Sequence, residues 1–177
     1  MKETWKIGVI IGFVGVGVFM AHQTRFLECV SESLKGVRYI LVWRGSDVCI
    51  GDVIFIKNHK IKTISPQVHH QGKAPMRFEG RSPIGLEDKP LNFAKRVLGF
   101  PGDLISRNKD ILSIGSYRLP LLKQTKDGKP LTPLSILQVP QGHVFVAGDH
   151  PRSFDSRYEE FGCVPFSKIW GKGVASW

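Results

Sequence analysis

A chain of 177 residues, 42% hydrophobic and 23% charged, holds enough apolar material for one sizeable core and leaves no room for two full-sized domains. Its net charge of +10, from 25 basic against 15 acidic residues, suits an anionic membrane surface or nucleic acid. The basic residues are scattered, with no dense Lys/Arg tract and no nucleic-acid module motif, so nucleic acid is not an expected partner.

The chain opens on an apolar run. From Ile7 to Ala21 it reads IGVIIGFVGVGVFMA without a charge, preceded by Lys2 and Lys6 and followed by His22 and Arg25. A membrane span needs about 20 apolar residues and a cleavable signal core roughly 7–15, so the length falls between them. Trp5 and the Phe26-Leu27 pair extend the run at its interfaces, and Phe19-Met20-Ala21 offers no small-x-small cleavage site. A retained anchor over residues 1–27 is therefore expected. Gly8 and Gly12 make a GxxxG spacing, but glycine is frequent in spans in any case. Lys2 and Lys6 orient the amino terminus toward the cytoplasm, which puts a body of residues 28–177 on the extracytoplasmic side.

Beyond the anchor come short runs rich in β-branched and aromatic residues: 37–43, 53–56, 93–98, 104–106, 111–114 and 143–147. Gly, Pro, Asp or Asn bounds each run, which predicts a mainly β body of coiled antiparallel sheets with a barrel-like core. Two stretches lack strand pattern, 58–91 and 119–140, and they hold most of the prolines. The first predicts an insertion containing a hairpin or a lid, because so long a structureless loop is unusual in a compact domain. Cys29, Cys49 and Cys163 show neither CxxC spacing nor metal-ligand spacing with His69-His70, so no metal or other cofactor is expected. An odd cysteine count leaves at least one thiol outside any intramolecular disulfide.

Three segments carry candidate chemistry. Lys95 lies in the run NFAKRVLGFPGD, a lysine inside an apolar strand that ends in a Pro-Gly-Asp turn. Desolvation disfavours the charged ammonium, and a neutral amine near pH 7 is a usable general base. Read alone, an exposed lysine on an edge strand explains the segment equally simply. A base needs a nucleophile, and Ser31-Glu32-Ser33-Leu34 stands just before the first predicted strand of the body, where a serine could also be a cap or loop residue. The third segment, Gly148-Asp149-His150-Pro151-Arg152-Ser153-Phe154-Asp155-Ser156-Arg157, packs small and hydrogen-bonding residues into one loop after the strand HVFVA.

In this order the three blocks resemble the type I signal peptidases, and more closely their plasmid conjugative-transfer branch, the TraF-type peptidases. The match runs from residue 1 to about 170, with the Lys95 and Gly148–Arg157 blocks as its specific parts. Housekeeping members carry Ser-Met and a proline at the nucleophile; here Ser33 is followed by Leu34-Lys35-Gly36, which is at home in the conjugative branch. The resemblance implies a Ser33 nucleophile and a neutral Lys95 base, with the Ser33 N–H and the Ser31 hydroxyl as oxyanion donors. It further implies that Ser153 orients the Lys95 amine, that Asp155 and Arg157 pair to brace the loop, and that Gly148 and Asp149 support it. The implied protein is a single-pass inner-membrane endopeptidase with a periplasmic domain, acting beside membrane lipid on a precursor polypeptide such as a pilin. A general signal peptidase and a non-catalytic scaffold are the alternatives.

Overall fold

The computed structural model describes residues 17–28, 33–61, 91–125 and 127–176. Among the described residues ten strands form two antiparallel sheets. The larger has seven strands in the order β1-β2-β10-β3-β4-β8-β9, and the smaller is the meander β5-β6-β7. The strands are β1 Thr24–Glu28, β2 Tyr39–Trp43, β3 Val53–His59, β4 Leu91–Gly99, β5 Ile105–Asn108, β6 Ile111–Ile114, β7 Tyr117–Pro120, β8 His143–Ala147, β9 Val164–Pro165 and β10 Ile169–Ser176. One 3₁₀ turn, Phe166–Lys168, joins the last two.

Alternation decides the faces. In β2, Ile40 and Val42 are buried while Tyr39, Leu41 and Trp43 are half-buried; in β3 the buried positions are Ile54, Ile56 and, at its end, His59. Two apolar clusters result, and the strands β4 and β8 contribute to both. Val97, Val144 and Val146 pack with Ile54, Ile56, Phe161 and Val164, whereas Leu98, Phe145 and Ala147 pack against Ile105, Leu112 and Ile114 of the small sheet. The adjacent strands β4 and β8 are thus covered on both sides. The near-continuous apolar sequence of β8, HVFVA, follows from that.

The structure departs from the expected barrel-like core. Among the described residues the large sheet is open, with β1 and β9 at its edges. Closure needs a continuous ladder between edge strands, and β9 is only two residues long and ends in Pro165, which has no N–H to donate. Four strands also lie outside the runs predicted from pattern. The strand β1 follows directly on the apolar run, β7 is a short YRLP segment, β9 spans two residues, and β10 reads IWGKGVAS, with two glycines and a lysine that break any alternation. Helical residues 17–23 lead into β1, where the Thr24 hydroxyl donates to the Met20 carbonyl at 2.7 Å. Residues 1–16 of the expected anchor lie outside the described residues, as do 62–90 of the expected insertion. Among the described residues no helix is long and apolar enough to cross a membrane. The insertion joins paired neighbours, since His59 of β3 lies opposite Leu91 of β4.

Two glycines show why the chain follows this path. In the turn after β4, Asp103 N donates to Phe100 O at 3.0 Å across Pro101 and Gly102, and Gly102 holds φ +96. Proline at the second position and a positive-φ glycine at the third are what a type II turn requires. Gly171 answers a different need, close approach: a Cβ there would run into the Trp43 carbonyl oxygen of β2 and sit 2.9 Å from Val42 Cγ1. Gly171→Ala is therefore expected to force β10 away from β2 and to cost about 1–3 kcal/mol of overpacking strain. Urea unfolding at unchanged m-value measures it.

Candidate active site

The strand β4 sends Lys95 and Arg96 to opposite faces, as the pleat requires. Lys95 lies in register with Ile54 of β3 and shares its face with Val97, both fully buried, and is itself 2% exposed. Its Nζ donates to Ser153 Oγ at 2.7 Å and meets Ser33 Oγ at 3.0 Å. Burial drives the Lys95 amine down from 10.5 to about 8; the Asp155 carboxylate opposes that shift and the Arg157 guanidinium adds to it. A neutral amine is therefore accessible near neutral pH, within hydrogen-bond reach of two serine hydroxyls.

Ser33 sits on a turn rather than a strand, held from three directions. Leu34 is buried at 2% exposure, the His150 N–H donates to the Ser33 carbonyl at 3.3 Å, and the Lys35 N–H donates to Asp149 Oδ2 at 3.3 Å. Gly148 makes this convergence possible. A Cβ at that position would run into Ser153 Oγ and would stand 2.6 Å from the Ser33 carbonyl oxygen.

The loop from Gly148 to Arg157 is organised by one buried ion pair. The Arg157 and Asp155 side chains are 1% and 0% exposed, and Arg157 Nε and Nη2 each donate to Asp155 at 2.8 Å. The remaining guanidinium donors go to backbone carbonyls: Nη1 to Pro120 at 2.9 Å and Pro151 at 3.0 Å, Nη2 to Ser153 at 2.8 Å. Asp155 Oδ2 also accepts from Gly148 N at 2.9 Å. Such a pair is tolerable in the core only because its hydrogen-bonding capacity is filled.

Two residues that the sequence reading left without a role join this frame. Arg96, on the far face of β4, donates to both Asp149 carboxylate oxygens at 2.8 and 2.9 Å and to the Gly51 carbonyl at 2.7 Å. Those bonds hold the Asp149 carboxyl below the usual carboxylate range. Since Asp149 also accepts from Lys35 N, the strand, the Gly51 turn and the Ser33 turn are tied together. Ser156 does the same for the chain beyond, accepting from Val146 N at 3.1 Å and donating to the Gly162 carbonyl at 2.7 Å. The available signal for Arg96 was its position next to Lys95, which alternation puts on the other face with a charge that needs a partner.

The structure thus brings Ser33, Lys95, Gly148, Asp149, Ser153, Asp155 and Arg157 into one neighbourhood. Ser31, the other expected oxyanion donor, lies outside the described residues, as do Cys29 and His69-His70. Cys49 is exposed and Cys163 half-buried, both as free thiols. Burial pushes the Cys163 thiol up to about 12, with the Glu159 carboxylate adding to it, so it is protonated and a poor nucleophile. No cluster of three or more His, Cys, Asp or Glu able to hold a metal occurs among the described residues.

Known proteins share this chain's pattern. A relative named signal peptidase I, from Bacillus caldolyticus, is 34% identical over 98 residues, 48% of this chain and 53% of that protein, so the chain spans about half the length of the curated relative it matches. The crystal structure of a signal peptidase I from Enterococcus faecalis V583 aligns with 72% of this chain and 97% of its own at a TM-score of 0.40 and 22% identity. The family model described as signal peptidase, peptidase S26, matches residues 2–177, taking in all three blocks that converge on the Lys95 amine, and the chain belongs to that family.

Proposed function

We propose that this chain is a membrane-anchored serine endopeptidase working through a Ser33/Lys95 dyad. The observation that carries the reading is the buried Lys95 amine, lowered to about 8 and lying 3.0 Å from Ser33 Oγ. Buried lysines are rare and costly, and one aimed at a serine hydroxyl has a chemical use for its lost proton.

The chemistry follows from the geometry. With Lys95 neutral, its lone pair takes the Ser33 hydroxyl proton as Oγ attacks the scissile carbonyl carbon. The carbonyl oxygen becomes an oxyanion, for which the family resemblance implies the Ser33 N–H and the Ser31 hydroxyl as donors. The Lys95 ammonium then delivers its proton to the leaving amine, the C–N bond breaks, and the acyl-enzyme remains on Ser33. Water, deprotonated by Lys95 in turn, attacks the acyl carbon; the bond to Ser33 Oγ breaks, the Lys95 ammonium returns the proton to Oγ, and the acid leaves. If the precursor's own amino terminus attacks instead, the product is a cyclic peptide from the same dyad. Ser153 keeps the amine aimed through its 2.7 Å hydrogen bond, and the Asp155–Arg157 pair holds Ser153 in place through the Arg157 bond to its carbonyl.

The proposed substrate is a secreted precursor polypeptide emerging from the bilayer in extended form, and residues 1–27 are the proposed anchor that keeps the body, 28–177, at the extracytoplasmic face. The Ser33-Leu34 block favours a conjugative precursor such as a pilin. The likeness to a signal peptidase I favours a general role in removing signal peptides. Incubation with a panel of unrelated precursors separates the two: cleavage of many supports the general role, cleavage of one the conjugative.

Ser33→Ala is expected to abolish precursor cleavage while leaving the near-UV circular dichroism of the folded chain unchanged. Full activity in that variant would move the nucleophile elsewhere. For the base, kcat/KM should rise with pH through an apparent value near 8 and then level, because only unprotonated Lys95 accepts the Ser33 proton. A profile that rises only near ~10.4 would mark an ordinary exposed lysine and overturn the assignment.

The same shift predicts a stability effect. Between about 8 and 10.5 the unfolded chain holds a proton on Lys95 that the folded chain has lost, so stability rises with pH across that window and the full penalty applies below it. Lys95→Met, similar in volume and without a charge to bury, should be inactive yet more stable at pH 7 by about 2–3 kcal/mol. The difference from the parent protein should shrink as pH climbs through the window, which denaturant unfolding at pH 7 and at pH 10.5 measures.

A further inference from the structure

A second constellation lies apart from the dyad and shares no residue with it. At the end of the large sheet where β1 and β10 begin and β2 and β3 finish, a cleft of about 200 Å³ opens. Arg44, Lys57 and Lys168 line it together with Asn58, Ser167 and the Trp170 indole. No carboxylate lines the cleft, and among the described residues none pairs with these three cations. Three cations, a hydroxyl and a side-chain amide around one hollow make a site rich in donors for an oxyanion, with an aromatic ring as one wall.

Its place in the fold narrows what that anion is. The Arg44 N–H donates to the Gln23 carbonyl at 2.9 Å, so the cleft adjoins the point where the chain leaves its apolar run. The Arg25 guanidinium sits over the Trp170 ring at 5.8 Å, and the helical residues just before β1 leave Val18 and Phe19 65% and 57% exposed. Apolar side chains, a tryptophan and unpaired cations in succession match the layers of a bilayer surface: acyl chains, interface and phosphates.

We propose that this cleft binds the phosphate of an anionic phospholipid headgroup and holds the open end of the sheet at headgroup level. The inference rests on the reading of the amino-terminal run as an anchor. A single span leaves the body free to rotate and tilt about one point; a second attachment through Arg44, Lys57 and Lys168 would remove that freedom and give the Ser33 turn a defined orientation to the membrane. Lipid phosphate is favoured over free phosphate because the anchor junction delivers headgroups to the cleft at high local concentration.

The test uses the full chain, vesicles of phosphatidylcholine with and without phosphatidylglycerol, and native mass spectrometry of lipids retained after mild detergent extraction. The parent protein should enter both kinds of vesicle and retain phosphatidylglycerol roughly 100-fold in preference to phosphatidylcholine, about fivefold per cation. A triple variant, Arg44→Gln with Lys57→Gln and Lys168→Gln, should still enter both but lose that preference. A charge-matched control on the small sheet, Arg107→Gln with Lys109→Gln and Arg118→Gln, should keep it. Entry into both vesicles without a lipid preference overturns the headgroup site and leaves the anchor standing. Entry into neither overturns both. An equal loss in the control assigns the preference to diffuse charge, and displacement of phosphatidylglycerol by equimolar inorganic phosphate makes the cleft a phosphate-ion site; either result overturns the proposal.

Discussion

The buried Arg157–Asp155 pair is the contact on which the candidate site depends. A guanidinium at 1% exposure is stable only if every N–H finds an acceptor, and here the acceptors are one carboxylate and three strongly bonded carbonyls. Satisfying them winds residues 148–157 into a single shape that no shorter-range rule would select. The shape then sets the rest: Asp155 reaches back to Gly148 N, the Ser153 carbonyl is held by Arg157, and its hydroxyl lies 2.7 Å from Lys95 Nζ. The same pair acts on Lys95 electrostatically, with Asp155 raising and Arg157 lowering the amine's proton affinity. Desolvation outweighs both, so position in the sheet rather than any one neighbour lowers the amine's proton affinity.

Around that core the polar ties are arranged in two shells on opposite faces of β4. The inner face offers Lys95 to Ser33 and Ser153; the outer face offers Arg96 to Asp149 and Gly51. Asp149 closes the circuit by accepting from Lys35, two residues beyond Ser33. A strand with both faces covered keeps the two neighbouring cations far apart in environment, one desolvated and driven toward neutrality, the other paired and charged. Gly148 then admits the Ser33 turn and Ser153 to the same small volume, which a Cβ would fill. The basic cleft at the sheet's other end is built by a different logic, from strand termini and a 3₁₀ turn whose cations find no carboxylate among the described residues.

Much of the fold was legible because the strands of its two cores are strongly patterned. The runs around Tyr39–Trp43, Val53–His59, Leu91–Gly99, Ile111–Ile114 and His143–Ala147 stand out by β-branched content and bounding turns. The strand β10 was not legible, because its role is to fit between β2 and β3: Gly171 and Gly173 are there for close approach to Trp43 and Ile40, and glycines erase the alternation that announces a strand. The strand β1 was hidden by its neighbour, since the apolar run before it drew Phe26 and Leu27 into the expected anchor. The open form of the sheet was equally invisible, because closure is a property of edges and β9 becomes an edge only by meeting β8.

By itself the sequence determined the β-rich class, the candidate chemistry of Lys95 and the block from Gly148 to Arg157, because those rest on residue type and on patterns a few residues long. Family resemblance named Ser33 and Ser153 as the partners of the amine; only the tertiary structure decided how close they stand, that Arg96 and Asp149 tie the Ser33 turn to the sheet, and that the ion pair is fully satisfied. Those facts depend on segments far apart in the chain arriving within a hydrogen bond of one another. That convergence is set by strand register, bulges and the room left by missing Cβ atoms, none of which leaves a local signature in the sequence.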